Sequence, residues 1–399
     1  MLVYVLLCFA AICIGMAISV RAFGTGSKKA KIFKEIYFSI EEVDGIGVYY
    51  TKTGEFSATV KIVNPVQKYC ADINEYYSFS SLLTSLMSTL GEGYAIHKQD
   101  VFVRKGFEAE GGNKEFLSES YFRYFGGREY TDCITYLTIT QENKKWQDFQ
   151  VKLGKVQDQL RDRGIDAHYL NKKEAKRFIN QYYTQNYTQK NLSHNNYKVT
   201  DEYIGIGSKK FKIYSLVDVD CIVVPELIKP YTNIDVNNVT MPVDLMSMLD
   251  SIPDSVNVVF NQIIFLPNQR QELSKLAKKK NRHSSLPNPS NEIAVEDIKK
   301  VEELTARENK QLVYCHYNIV ITVDNNTDLQ KVTNNLENTF SRIGIQISQH
   351  SYNQLELFVG SFPGNCYSMN KEYDRFLTLS DAASCLMYKE KLPKSEYTP

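Results

Sequence analysis

Nowhere in the 399 residues does the pattern G-x-x-x-x-G-K-[ST] occur. A nucleotide-hydrolysing loop needs that spacing, because its backbone amides wrap the phosphates while the lysine reaches the terminal ones. Two segments come near it, Gly24-Thr25-Gly26-Ser27-Lys28-Lys29 and Gly205-Ile206-Gly207-Ser208-Lys209-Lys210. Neither has the four-residue spacer or a hydroxyl after the lysine, and the second precedes a strand where a phosphate loop follows one. Both read as basic turns. There is no C-x-x-C pair among the eight cysteines, and the six histidines are scattered without ligand spacing. This pattern fits buried thiols in a reducing compartment and excludes a zinc site or a disulfide framework. The chain also lacks a charge of one sign. Its net charge is +1, so any nucleic-acid contact would have to be a local patch. No catalytic, cofactor-binding or metal-ligating residue is assigned.

What is present begins with an uncharged apolar run, Leu2 to Val20, just long enough to cross a bilayer as a helix. A secretory signal peptide is the competing reading, but only Met1 stands where a basic leader belongs. Arg21, Lys28, Lys29, Lys31 and Lys34 follow the run and place the body on the cytoplasmic side. Residues 1–22 are therefore expected to be a transmembrane anchor. The inner membrane is the expected location.

Beyond the anchor, periodicity sets the elements. Phe56, Ala58, Val60 and Ile62 alternate as one face of a strand, and Phe79, Leu82, Leu83, Leu86, Met87 and Leu90 form the buried stripe of a helix. Tyr94–Val103 and Cys133–Thr140 read as strands, and Phe149, Leu153, Val156 and Leu160 as the inner face of a second long helix. The run VNVVFNQIIFLP and the stretch 311–323 read as further strands, with a helix over 327–343. Most of the 27 tyrosines and 20 phenylalanines read as core. These observations predict an α+β chain of layered α/β type, with mixed sheets and packed helices. Two successive subdomains are expected, 23–190 and 191–399. Lys275, Lys278, Lys279, Lys280, Arg282 and His283 lie in a stretch, 272–291, predicted to be an exposed loop or frayed helix. The run invites a DNA contact, but it has no interleaved aromatics, and a solvated charge run is favoured.

Three patches carry a resemblance. Ala95-Ile96-His97-Lys98-Gln99-Asp100-Val101-Phe102, Phe116-Leu117-Ser118-Glu119-Ser120-Tyr121, and Asp374 to Ala383 within the closing stretch from Ser361 resemble, in order, the N-terminal region of TraG-family conjugative transposon ATPases. These are VirB-type motors of type IV secretion. The likeness spans roughly 32–399 and implies a chain that ends before the motor domain. It implies inner-membrane secretion subunits and the ATPase motor domain as partners, a hexamer when full length, and ATP with Mg only in the motor. A non-catalytic docking and coupling role in DNA or pilus transfer follows from it.

His97, Lys98, Gln99 and Asp100 are four consecutive polar residues in an apolar strand, which suggests a sheet edge or an interface. They are candidate contact residues; hydrogen bonding that fixes the strand end is the plainer reading. Arg375, Phe376 and Asp381 are candidates for coupling to the motor, and a surface ion pair is the plainer reading for the charged two. A stand-alone DNA-binding accessory protein, or an enzyme with an unrecognised site, is the alternative.

Overall fold

The computed structural model describes residues 36–62, 73–107, 116–142, 145–188, 196–216, 232–236, 239–243, 249, 252–286, 288–342, 347–349 and 353–385. The predicted anchor at 2–20 and the basic residues 21–34 lie outside the described residues. Among those described, no helix is long and apolar enough to cross a membrane.

The strands are β1 (Tyr37–Val43), β2 (Ile46–Thr51), β3 (Phe56–Ile62), β4 (Tyr94–Gly106), β5 (Glu129–Gln141), β6 (Ala167–Tyr169), β7 (Tyr197–Val199), β8 (Ile204–Ile206), β9 (Lys209–Ser215), β10 (Thr232–Val236), β11 (Val239–Val243), β12 (Asn257–Leu266), β13 (Leu312–Asp324), β14 (Ser348–Gln349) and β15 (Phe376–Leu379). The helices are α1 (Ile73–Leu90), α2 (Phe116–Phe125), α3 (Trp146–Asp162), α4 (Lys172–Thr184), α5 (Gln269–Ser284), α6 (Pro289–Glu308), α7 (Leu329–Arg342), α8 (Gln354–Gly360) and α9 (Ser380–Cys385).

One sheet of 13 strands runs β1-β2-β3-β5-β4-β12-β13-β9-β8-β7, with β6 beside β3, β14 beside β9 and β15 beside β13. The α+β class stands, but the described pairings are all antiparallel rather than mixed. The helices that follow strands pack on the faces and do not return the chain for parallel pairing. Strands from both sides of residue 190 share this sheet, joined where β4 pairs with β12.

The sheet order reads the same from either end. A three-stranded meander (β1-β2-β3, or β7-β8-β9) is followed by an inner strand (β4 or β12) and then by one that inserts between it and the meander (β5 or β13). Next come a helix (α3 or α7), a short strand on the meander (β6 or β14) and a second helix (α4 or α8). Phe149, Leu153, Val156 and Leu160 of α3 are buried; Leu329, Thr333, Leu336 and Phe340 of α7 recur at the same spacing, the last three fully buried. The two halves meet about an approximate two-fold axis through the antiparallel β4–β12 pair.

Each face has its own core. One gathers Leu82, Leu83, Leu86, Met87 and Leu90 of α1, the α3 and α7 stripes, and sheet residues such as Ile96, Phe260 and Ile319. The other gathers Phe178, Ile179 and Tyr182 of α4 with Leu357, Phe358 and Phe362. Here the twin helices meet: Tyr182 stacks on Phe358 at 4.9 Å and meets Phe362 edge-on.

The stretch 272–291 is a correction. Most of it is helical hairpin: α5 and α6 form an arm inserted between β12 and β13. Asn268 caps α5 by accepting from the Gln271 amide at 2.9 Å, and Lys280 pairs with Glu302 across the arm. Lysine, leucine and arginine are good helix formers, and their charges lie in water on the outer side.

Gly47 marks a close approach. Its amide donates to Leu170 O at 2.7 Å, and an added Cβ would lie 2.8 Å from Asn171 O and 2.9 Å from the Ala175 Cβ. Gly47→Ala is expected to cost about 1–3 kcal/mol in urea unfolding through overpacking of α4 against β2. An unchanged midpoint would show that α4 sits on the sheet more loosely than this.

Candidate functional site

The α4–α8 face of the sheet is not uniformly apolar. Strand alternation places His97 and Gln99 of β4, Asn257 and Asn261 of β12, and His316, Asn318 and Thr322 of β13 on it. Gln99, Asn261 and Asn318 are in register across three adjacent strands. All seven are buried.

Five of them, His97, Gln99, Asn261, Asn318 and His316, form one directed chain of hydrogen bonds. His97 Nε2 and Gln99 Nε2 both donate to Asn261 Oδ1, at 3.1 and 2.7 Å. Asn261 Nδ2 donates to Asn318 Oδ1 at 2.8 Å. Asn318 Nδ2 then donates to His316 Nε2 at 2.8 Å and to Ser361 Oγ at 2.7 Å. Ser361 Oγ donates to Leu357 O at 2.9 Å, and His316 Nδ1 to Asp374 O at 2.7 Å. This assigns His316 the Nδ1–H tautomer and His97 the Nε2–H tautomer. Nearer the meander of the second half, Asn257 Nδ2 and Thr322 Oγ1 donate to Gln185 Oε1, which ties the end of α4 to the same strands.

The seam's outer partners belong to residues 361–375, a strap that crosses the sheet. Pro363 O accepts from Tyr37 Oη at 2.6 Å. Gly364 lies directly on β3: with φ +80, an added Cβ would stand 2.6 Å from Ser57 Oγ. Arg375 stacks on Phe265 at 3.6 Å and donates to Met369 O at 2.9 Å. Burial lowers its pKa from the usual guanidinium value. Beside it opens a cleft of about 490 Å³, lined among others by Phe265, Glu272, Tyr314, Tyr367 and Arg375.

Lys98 and Asp100 lie on the opposite face, also buried. They pair with each other, and Thr135 Oγ1 donates to Asp100 Oδ1 at 2.8 Å. The four residues therefore divide: two enter the seam and two form a buried ion pair. The expectation of an edge or strand end is corrected, because β4 is central and the four sit in its middle. Polarity alone could not separate an exposed edge from a buried, internally hydrogen-bonded seam.

Phe376 opens β15, packs on the core and lies 5.5 Å from Tyr317. Asp381 pairs with Lys310 at 2.9 Å. Ala383 is buried against the α1 side of the sheet. Arg375 thus ends the strap and lines the cleft, while Asp381 sits apart.

The sequence reading missed Asn261, His316, Asn318 and Ser361. Their signal was present: polar residues two apart in His316-Tyr317-Asn318, and isolated asparagines on one side of VNVVFNQIIFLP. Among the described residues no group of three or more His, Cys, Asp or Glu could hold a metal ion. Burial pushes the thiols of Cys315 and Cys366 up to about 12, which leaves them protonated and unreactive. The arrangement can hold segments together; it presents no activated nucleophile.

Residues 207–366 match a family model described as TraC protein, which is less than half of the chain. The match indicates a protein related to type IV secretion and conjugation, with a role in conjugative transfer. It runs from the turn before β9 into the first part of the strap. A search of curated proteins finds no match.

Burial depresses the His97 pKa to about 4, so the seam holds a neutral imidazole. The unfolded chain takes up that proton near pH 6.5. Stability from this residue is therefore complete above about pH 6.5 and is lost as pH falls toward about 4. His97→Gln keeps a donor without titrating, and should flatten the slope of unfolding free energy in that window. Lys98→Met should cost about 3–5 kcal/mol by stranding Asp100, and the double change with Asp100→Leu should recover most of it. Equal losses in the single and double variants would contradict the buried pair.

Proposed function

We propose that the chain acts as the membrane-proximal, non-catalytic N-terminal region of a TraG-like conjugative transfer ATPase. In this reading Leu2–Val20 anchors it in the inner membrane with the body in the cytoplasm. The regions 23–190 and 191–399 dock the motor to the membrane channel subunits. ATP and Mg belong to the motor domain, whose hexamer the chain would join, and its role is to couple motor strokes to DNA or pilus transfer.

The family match over 207–366 carries the reading. A second observation supports it. Two of the patches that resemble the TraG family, the HKQD strand and the closing stretch from Ser361, are joined by the seam. In that resemblance the closing stretch leads toward the motor. The Ser361 link through Asn318 and Asn261 to His97 and Gln99 offers a stiff path from there into both halves of the sheet. Hydrogen-bonded buried groups stiffen a core, which is what a coupling element requires, and the amides of Asn261 and Asn318 on this path are paired at both ends.

Two measurements test this. Purified chain should neither bind nor hydrolyse ATP, because it has no phosphate-binding loop. In a donor strain lacking the gene, the intact chain supplied together with its motor should restore transfer. Gly364→Val, which drives a side chain into Ser57, should reduce transfer at least about tenfold, on the scale of a misplaced coupling contact. Nucleotide turnover that survives stringent purification, or full transfer by the Gly364 variant, would remove the proposal.

A further inference from the structure

The arm carries a feature that the coupling role does not use. Lys275, Lys278, Lys279, Arg282 and His283 follow the i, i+3, i+4, i+7, i+8 spacing of one helix face. Together they line a shallow concavity of about 520 Å³ with no acidic residue in its lining. Glu292 and Glu296 of α6 line a different groove, near the arm's tip. Lys275 is paired with Glu272. Lys278, Lys279 and Arg282 are exposed, and no carboxylate among the described residues is bridged to them.

The tip is built rather than frayed. His283 Nδ1 meets Asn291 Oδ1 at 2.7 Å, and Asn288 caps α6 through the Asn291 amide at 2.8 Å. It holds Leu286 and Ile293 out in solvent, at 65% and 61% exposure. A projecting basic stripe that ends in two presented aliphatic side chains matches an anionic bilayer: cations meet lipid phosphates while the tip enters the acyl boundary. Single-stranded nucleic acid would call for stacking aromatics, and neither arm helix contains a Phe, Tyr or Trp. Duplex DNA would leave the aliphatic tip without a partner.

We propose that the α5–α6 arm is a membrane-contacting element that recognises anionic phospholipid headgroups through Lys278, Lys279 and Arg282 and inserts Leu286 and Ile293. The inference deepens the membrane-proximal reading above. It concerns the arm alone and does not depend on how residues 2–20 attach.

The test places a tryptophan at the tip of the full chain, Leu286→Trp. The parent's single tryptophan, Trp146, packs on Phe56 and Phe149 and supplies the baseline. Brominated-acyl vesicles of phosphatidylglycerol with phosphatidylcholine should quench the new tryptophan, and vesicles of phosphatidylcholine alone should not. Adding K278Q/K279Q/R282Q should weaken that quenching titration about 100-fold, at about fivefold per cation. Unchanged circular dichroism and urea midpoint confirm that the arm still folds. Absence of quenching, or equal quenching by both vesicle types, overturns the proposal. So does a duplex oligonucleotide that binds the parent and loses affinity in the triple variant while vesicles leave the tip unquenched. Transfer in the donor strain is a separate readout, so the coupling reading can survive the loss of this one.

Discussion

The structure depends on two buried asparagine amides in the middle of the sheet. Asn261 and Asn318 each use both ends of the side chain, and between them they tie β4, β12, β13 and the strap. A buried amide left without partners costs about 1–3 kcal/mol per group, whereas a satisfied one contributes only modestly. Their main effect is therefore on specificity. A one-residue slip of β12 would turn Asn261 toward the Leu82–Leu90 core and leave Gln99, His97 and Asn318 without it. The register of the two central pairings, and with it the junction of the halves, is fixed by the penalty for any alternative.

The approximate two-fold arrangement explains why such a junction exists. Each half offers an inner strand, β4 or β12, which would otherwise be an edge with open backbone groups. Pairing them closes both edges. The face that carries α4 and α8 then brings together the two helices that occupy equivalent places, and their aromatic contact roofs part of the seam. The strap departs from this symmetry. It continues from α8, crosses back over β3 at Gly364, and reaches β13 again at β15. The closing stretch is thus held by both halves at once.

Much of the local structure was legible because it rests on short-range periodicity. The stripes Leu82–Leu90 and Phe149–Leu160 are buried as their spacing demands. The strands at 94–106, 129–141, 257–266 and 312–324 follow from branched apolar runs. Sheet order was not legible, because the β4–β12 pairing joins residues far apart in sequence and no local pattern encodes it. For the same reason, His97 to Asp100 read as an edge or an interface, or more plainly as hydrogen bonding at a strand end: polarity in a strand is the same signal whether the partner is solvent or an asparagine brought in from another half. The basic arm was misread because a run of lysines looks solvated. It is solvated, but on one face of a capped helix whose other face packs on α6. Arg375 was legible as a residue of interest but not by its contact, since stacking on Phe265 depends on the strap's path.

Native-state hydrogen exchange on Asn318→Ala would test most directly whether the seam holds the strap to both halves. Residues 361–375 should exchange much faster in the variant, together with the β12–β13 pair, while the outer β1–β2 pair keeps its protection. Unchanged protection of the strap would contradict the seam's central place and leave the aromatic contacts of α4 and α8 as what holds the closing segment.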